Sequence, residues 1–363
     1  MLVVFALVKI IIILVVVVSA LTPILTWAER RQSAFIQNRL GPNRANIGSI
    51  TLGGLLHPLA DALKMLTKED FFPSGGDKFL HNLAPMFGVI TAIVIFAVIP
   101  FGPNVQLFGY DIPLQIAQVD MGILFILAFS SLAVFGISLA GWSSNNKWAI
   151  LGSIRASAQM ISYEVSMGLA IMGIFMVFQS LRLEEIVLQQ GNYLWNGWLP
   201  KWGIVVQPLG FILFLTASIA ETKRTPFDIP EAESELVAGY FLEYSGMKFG
   251  MFYMAEFMGL VAVAAILAVL FLGGWQIPYL VNTHEFSGFL LPGNIGFAIH
   301  PTLIKAIQIS GFIFKVVALC WFQLLIRWTL PRFRYDQLMS LGWKILLPLA
   351  LANIFITALI ILW

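Results

Sequence analysis

The sequence predicts an all-α polytopic membrane protein of about eight transmembrane helices, with an amphipathic surface helix in the first inner loop. Three observations predict it. Among 363 residues, 59% are hydrophobic and only 11% are charged, and the mean hydropathy is +0.87, too apolar for a soluble domain. The apolar residues gather in stretches of about 20, the length a helix needs to cross a bilayer. The charges fall between these stretches, mostly on alternate connections.

The spans are expected at roughly 3–28, 82–100, 120–141, 157–180, 207–224, 248–273, 305–329 and 338–362. The first is retained as a span, because Arg30 and Arg31 follow its apolar run, whereas a signal peptide carries its positive charge ahead. No internal repeat is visible, which disfavours repeat-built transporter folds. Most lysines and arginines lie after spans 1, 3, 5 and 7. Because basic residues accumulate on the cytoplasmic side, both termini are expected outside. Residues 1–363 then form a single integral membrane domain, with inner loops at 29–81, 142–156, 222–247 and 330–337. Lys9 and Lys305 lie near outer helix ends and are expected to snorkel. Lys315 falls near the middle of span 7, where a charge needs a partner or water, so it is expected to face the interior.

Composition excludes several kinds of chemistry. A net charge of +2 argues against nucleic acid. The single cysteine, Cys320, lies in an apolar run, leaving no thiolate set for an iron–sulfur cluster and no disulfide framework. His57, His81, His284 and His300 are scattered, unlike axial haem ligands on facing helices. No glycine-rich nucleotide motif follows a strand. Metal, haem and nucleotide sites are therefore not expected on this chain.

The inner side carries the informative residues. After span 1, Leu55, Leu59, Leu63 and Leu66 share one helical face while His57, Asp61, Lys64 and Lys68 share the other, a helix expected along the membrane surface. Span 4 has Ala158, Ser162, Ser166 and Ala170 at four-residue spacing, a stripe that predicts close helix packing. Glu164 points off that stripe, about 10 Å deep, and Glu256 in span 6 lies about 12 Å in from the same side. Glu221 sits near the inner end of span 5. Intramembrane carboxylates are functional candidates, and three helices placing them in one half of the membrane predict a shared polar cavity. In the loop after span 5, Pro226 and Pro230 break the helix, and Pro230 is placed to start another. Glu231 and Glu233 fit a helix first turn. Glu235 lies four residues from Glu231, and such neighbours, when desolvated, favour a neutral carboxyl able to carry a proton.

With these residues the chain resembles the quinone-site membrane subunit of respiratory complex I, the proton-pumping NADH:quinone oxidoreductase. The resemblance covers nearly the whole chain. It is carried by Glu221 to Leu236 (ETKRTPFDIPEAESEL), Ile154 to Val165 (IRASAQMISYEV), Arg39 to Arg44 (RLGPNR) and Leu330 to Lys344 (LPRFRYDQLMSLGWK). It implies a quinone chamber lined by Glu29, Arg30, Asp61, Phe227 and Asp228, with Arg155 close by. It also implies an acidic proton-coupling path through Glu164, Glu221, Glu231, Glu233, Glu235 and Glu256, with Lys315 on it. Quinone is the implied substrate. FMN and iron–sulfur clusters are implied on soluble redox subunits docked to the inner side, with small membrane subunits, antiporter-like pumping subunits and lipids as further neighbours. The implied location is the bacterial cytoplasmic or mitochondrial inner membrane. The segment from about Gln276 to Pro301 matches nothing in that pattern. The rival readings are the related subunit of a proton-pumping hydrogenase or formate hydrogenlyase, a stand-alone proton or solute transporter, and a structural anchor. The acids after Pro230 and the LPRFRYDQ string favour the quinone enzyme over the hydrogenase relative. The charged loops on one side favour a docked subunit over a transporter, and an anchor leaves Glu164, Glu256 and Lys315 without purpose.

Overall fold

A computed structural model describes residues 2–363 except 49, 108, 195–196, 230–236, 283–286 and 292–294. Glu231, Glu233 and Glu235 therefore lie outside the described residues. The protein is a multi-pass helical bundle. Among the described residues, six helices are long and apolar enough to cross a membrane, and two shorter apolar helices, Phe5–Val16 and Pro208–Glu221, match the first and fifth expected spans.

Helix α1 runs over residues 2–36, with a π-helical stretch at Leu14–Leu21 just before Pro23. Proline lacks an N–H and crowds the preceding turn, so the helix widens there without breaking. The last helix, α10, repeats the device, running over residues 335–362 with a π segment at Leu341–Leu346 before Pro348. Between them come the surface helix α2 (His57–Thr67), α3 (Lys78–Ile95), α4 (Gly122–Ser143), α5 (Lys147–Phe178), the short α6 (Leu183–Gln190), α7 (Pro208–Glu221), α8 (Gly246–Phe271) and α9 (Pro301–Thr329).

Helix α5 starts ten residues earlier than hydropathy predicts. The expected inner loop at 142–156 shrinks accordingly, and Arg155 is helical. Polarity at Lys147 and Arg155 lowers hydropathy but leaves helix propensity intact. Asn146 then caps the new end, accepting from the Trp148 N–H at 3.0 Å.

Helix α8 is the axis of the bundle. It is buried on all sides from Leu260 to Phe271, which explains its lack of a polar face. Helices α3 and α9 pack on it, and α5 packs against α4, α7 and α10. Of the small-residue stripe of α5, Ser162, Ser166 and Ala170 are buried inside the bundle and Ala158 is half-buried. A Cβ on Gly210 of α7 would stand 3.2 Å from the Ala170 carbonyl oxygen, so these two backbones are almost in contact. Where α5, α7 and α10 meet, the Gln207 amide donates to Thr357 Oγ1 at 2.7 Å and accepts from Asn353 at 3.0 Å. Such bonds hold helices together where lipid supplies little hydrophobic drive.

The two ends of the bundle differ. One end carries the charged connections and α2. The other carries the described strands: the hairpin β1–β2 (Val105–Leu107, Tyr110–Ile112), the hairpin β3–β4 (Tyr193–Leu194, Leu199–Pro200) and a three-stranded antiparallel sheet β5–β7 (Leu280–Asn282, Ser287–Leu291, Ile295–Ala298). Those three strands lie within the Gln276–Pro301 segment. Lys9 is anchored at the same end, donating to the Pro113 and Gln115 carbonyls, both at 2.9 Å.

Candidate functional site

Consecutive helical residues point about 100° apart, so Glu29 and Arg30 face different neighbours. Glu29 turns into the core. Arg30 turns toward α2 and meets Asp61 at 2.6 Å, while Lys64 reaches the other oxygen of Asp61 at 3.5 Å. Opposite this polar face, Leu55, Leu59, Leu63 and Leu66 are all exposed, as a helix lying on a membrane requires.

The second contributor is the turn after α7. The buried Gln159 amide donates to the Ala220 carbonyl at 2.7 Å and the Phe227 carbonyl at 2.8 Å, tying the end of α7 to the loop beyond it. Lys223 takes a left-handed φ of 57° that reverses the chain and turns Arg224 inward. Arg224 is 2% exposed and sits between two acids, 3.1 Å from Glu29 and 2.8 Å from Glu256. Arg327, near the end of α9, closes the group, 3.0 Å from Glu29 and 3.8 Å from Glu256. Two carboxylates and two guanidiniums thus form a charge-balanced quartet drawn from α1, the α7–α8 loop, α8 and α9, with Glu29 and Arg224 buried and Glu256 and Arg327 half-buried. Buried ions are tolerated only when paired in this way. The Phe257 ring lies under the Arg224 guanidinium at 4.3 Å and adds to its hold.

Asp228 adjoins the quartet. One oxygen meets Arg332 at 2.9 Å, and the other is buried without a hydrogen bond from the described residues. Burial pushes this carboxyl up to about 6, against the pull of Arg332 and Arg327. Phe227 stacks on Phe333 at 5.5 Å and lies against Tyr163 at 5.8 Å, whose hydroxyl donates to the Leu338 carbonyl. Phe227 therefore fixes the loop to α5 and to the start of α10. Arg155 lies over the Tyr335 ring at 5.8 Å, on the same end of the bundle.

Behind the quartet is a half-open pocket of about 130 Å³ bordered by α3, α4, α5, α7 and α8, with Glu221 and Glu256 in its wall. Ser130 hydrogen-bonds Glu221, which also feels the charge of Glu164. Ser131, the next residue of α4, donates to Glu164. Glu256, Glu221 and Glu164, expected to share a cavity, thus form a file in which the first two line it and the third stands next to them. Among the described residues no three His, Cys, Asp or Glu side chains converge as a metal site.

Lys315 stands apart. Its ammonium donates to the Leu272, Gly274 and Gln276 carbonyls at 2.7, 2.9 and 2.6 Å and lies 4.5 Å from the centre of the Trp202 ring. It closes the far end of α8, sixteen residues or about 24 Å along the helix from Glu256. The interior position expected from sequence is present, but its partners are backbone carbonyls.

Arg224, Arg327, Arg332 and Gln159 enter the site without having been singled out in the sequence. The arginines served there as markers of sidedness, and Arg224 and Arg332 also as members of the matching strings. A signal was available: acids in or beside spans, such as Glu29 and Glu256, each require a counter-ion, and arginines at neighbouring helix ends are the available donors.

The sequence matches the NADH dehydrogenase family over residues 8–358. It is 48% identical to an H-type NADH-quinone oxidoreductase subunit of Geobacter metallireducens, covering 95% of this chain and 93% of that protein. It is 45% identical to the corresponding NADH-quinone oxidoreductase subunit of Flavobacterium psychrophilum, with 96% of each covered. A further relative of this type, from Koribacter versatilis, is 44% identical over 98% of this chain and 96% of its own length. The buried carboxylates and their arginines therefore belong to a member of the NADH dehydrogenase family, of the type represented by the H-type subunits of NADH-quinone oxidoreductase.

Proposed function

We propose that this chain forms the membrane wall of a quinone chamber and the first stretch of an acidic path linking quinone reduction to proton translocation. The observation that carries this reading is the quartet Glu29–Arg224–Glu256–Arg327, one face of which joins Asp228 and the other the cavity of Glu221. A redox-linked charge change near Asp228, Glu29 or the Arg30–Asp61 pair alters the balance of the quartet. Glu256 passes that change to Glu221 and Glu164, where a proton is taken up or released. Glu231, Glu233 and Glu235 continue the path. Phe227 and Arg155 hold the loop that carries Asp228. Lys315 supports the path by fixing the far end of α8.

In this reading quinone is the substrate, and FMN and iron–sulfur clusters reside on soluble partners docked against the charged end. Small membrane subunits and antiporter-like subunits lie beside the chain. The charged end faces the bacterial cytoplasm or mitochondrial matrix, and both termini face the opposite side. The relatives named as quinone oxidoreductase subunits support this reading over the hydrogenase-type alternative. The test is NADH–quinone reductase activity in the complex recovered through a tag on this chain, with and without the quinone-site inhibitor piericidin. Inhibitor-sensitive activity is expected. Recovery of an intact complex that reduces no quinone overturns the reading.

A further inference from the structure

Among the described residues, the pocket behind the quartet is polar at one end only. Near Glu221 and Glu256 it meets Ser130, Thr222, Lys223 and Tyr240. Ten residues along α8 from Glu256, about 15 Å further on, it is walled by Ile95, Ile123, Ile126, Ile171, Val263 and Ile266. Ile95 is the last residue of α3 and Ile123 the second of α4, so the cavity reaches almost to the far ends of those helices. Thr91, the one hydroxyl among the described lining residues at that depth, turns back to its own helix at the Phe87 carbonyl, 2.8 Å, and the Gly88 carbonyl, 3.1 Å. It offers no donor to water. Beyond Ile266, Leu267 to Phe271 are fully buried.

We propose that the isoleucine-lined half of this cavity is a dry barrier that stops protons at Glu221 and Glu256 from continuing to the far side of the membrane. Water entering a stretch lined by apolar side chains gives up hydrogen bonds and gains none, so such a stretch disfavours a water file. Without water there is no chain along which a proton can hop, and apolar constrictions block ions in channels by the same dewetting. The barrier gives the acidic path its direction: protons exchange with the charged end and move sideways, not straight across. This inference rests on the acidic-path reading above.

The test measures passive proton flux in proteoliposomes that contain the assembled complex, with a pH-sensitive dye, under a potassium diffusion potential set with valinomycin and without NADH. Ile266→Asn places an amide in the dry half, and Val263→Thr adds a hydroxyl with little change of shape. Ile266→Asn is expected to raise proton flux about tenfold and Val263→Thr by about two- to threefold, with quinone reductase turnover unchanged. Adding Glu221→Gln to Ile266→Asn should return the flux to the wild-type level. Wild-type tightness in both assembled single variants overturns the barrier. A leak that survives Glu221→Gln and Glu256→Gln together supports the barrier while removing the acidic-path reading, so the two ideas fail separately.

Discussion

Replacing Arg224 with Met keeps an extended side chain and deletes the charge at the centre of the quartet. Arg224 is 2% exposed and holds Glu29 at 3.1 Å and Glu256 at 2.8 Å. Removing one partner of a buried ion pair costs about 3–5 kcal/mol, because the other charge stays behind in a medium that solvates it poorly. Arg327 softens the loss unequally. It lies 3.0 Å from Glu29 but 3.8 Å from Glu256, so Glu29 keeps a close partner and Glu256 does not. The cost should fall at the lower end, about 3 kcal/mol, or roughly a hundredfold in the folding equilibrium. Glu256→Gln removes the charge left stranded, so the double variant should recover about 1–2 kcal/mol of that loss. The assay compares wild type, both single variants and the double variant by the fraction of chain in assembled complex and by thermal inactivation of quinone reductase activity. If Arg224→Met is as heat-stable as wild type, or the single costs sum to that of the double within about 0.5 kcal/mol, the quartet is not a coupled unit.

Three further outcomes are expected. Gln159→Leu strands the carbonyls of Ala220 and Phe227, at about 1–3 kcal/mol for each unmet group, and should loosen the loop between α7 and α8, seen as faster hydrogen exchange at 222–229. Lys315→Met removes three hydrogen bonds and a ring contact at the end of α8, and should lower thermal stability by about 2–4 kcal/mol while leaving the quinone KM unchanged. A changed KM with unchanged stability would place Lys315 in the site instead. Asp228 has a folded-state proton affinity raised to about 6, so it is ionised above that pH and neutral below it. Acidification through pH 6 should therefore weaken the Arg332 contact and lower quinone reductase activity. The same raised value means that the folded state binds this proton more tightly than the unfolded chain. Its contribution to stability is therefore present below the ordinary aspartate range and is lost as pH rises through 6. Asp228→Asn should flatten both dependences, and an unchanged acid limb in that variant would contradict the assignment.

Hydropathy located the spans, because a bilayer imposes one length and one polarity on every crossing. It placed the start of α5 ten residues late, because the helix continues past the membrane edge through Arg155 and only hydrogen bonding, not polarity, ends it at Asn146. The π segments before Pro23 and Pro348 follow from proline chemistry, yet whether a proline kinks, breaks or widens a helix depends on what packs around it. The sheet within 276–301 was not legible, since its strands are short and lie in a connection where neither period stands out. For the site, depth along a helix was enough to single out Glu164, Glu221 and Glu256. Their partners were not legible: Arg224 lies 195 residues from Glu29 in sequence, and pairing at that distance is decided by how α1, α8 and α9 meet. Glu29 and Arg30 look alike in the sequence, and only the facing of α1 separates a core acid from a surface base.

In the proposed acidic path, Glu221 and Glu256 carry protons coupled to quinone reduction. The most direct test measures the rates of NADH oxidation and of proton translocation separately in proteoliposomes containing the complex with Glu221→Gln. Assembly at the wild-type level is expected, with quinone reduction and pumping both reduced about tenfold or more. Wild-type turnover with full pumping in that variant would contradict the path.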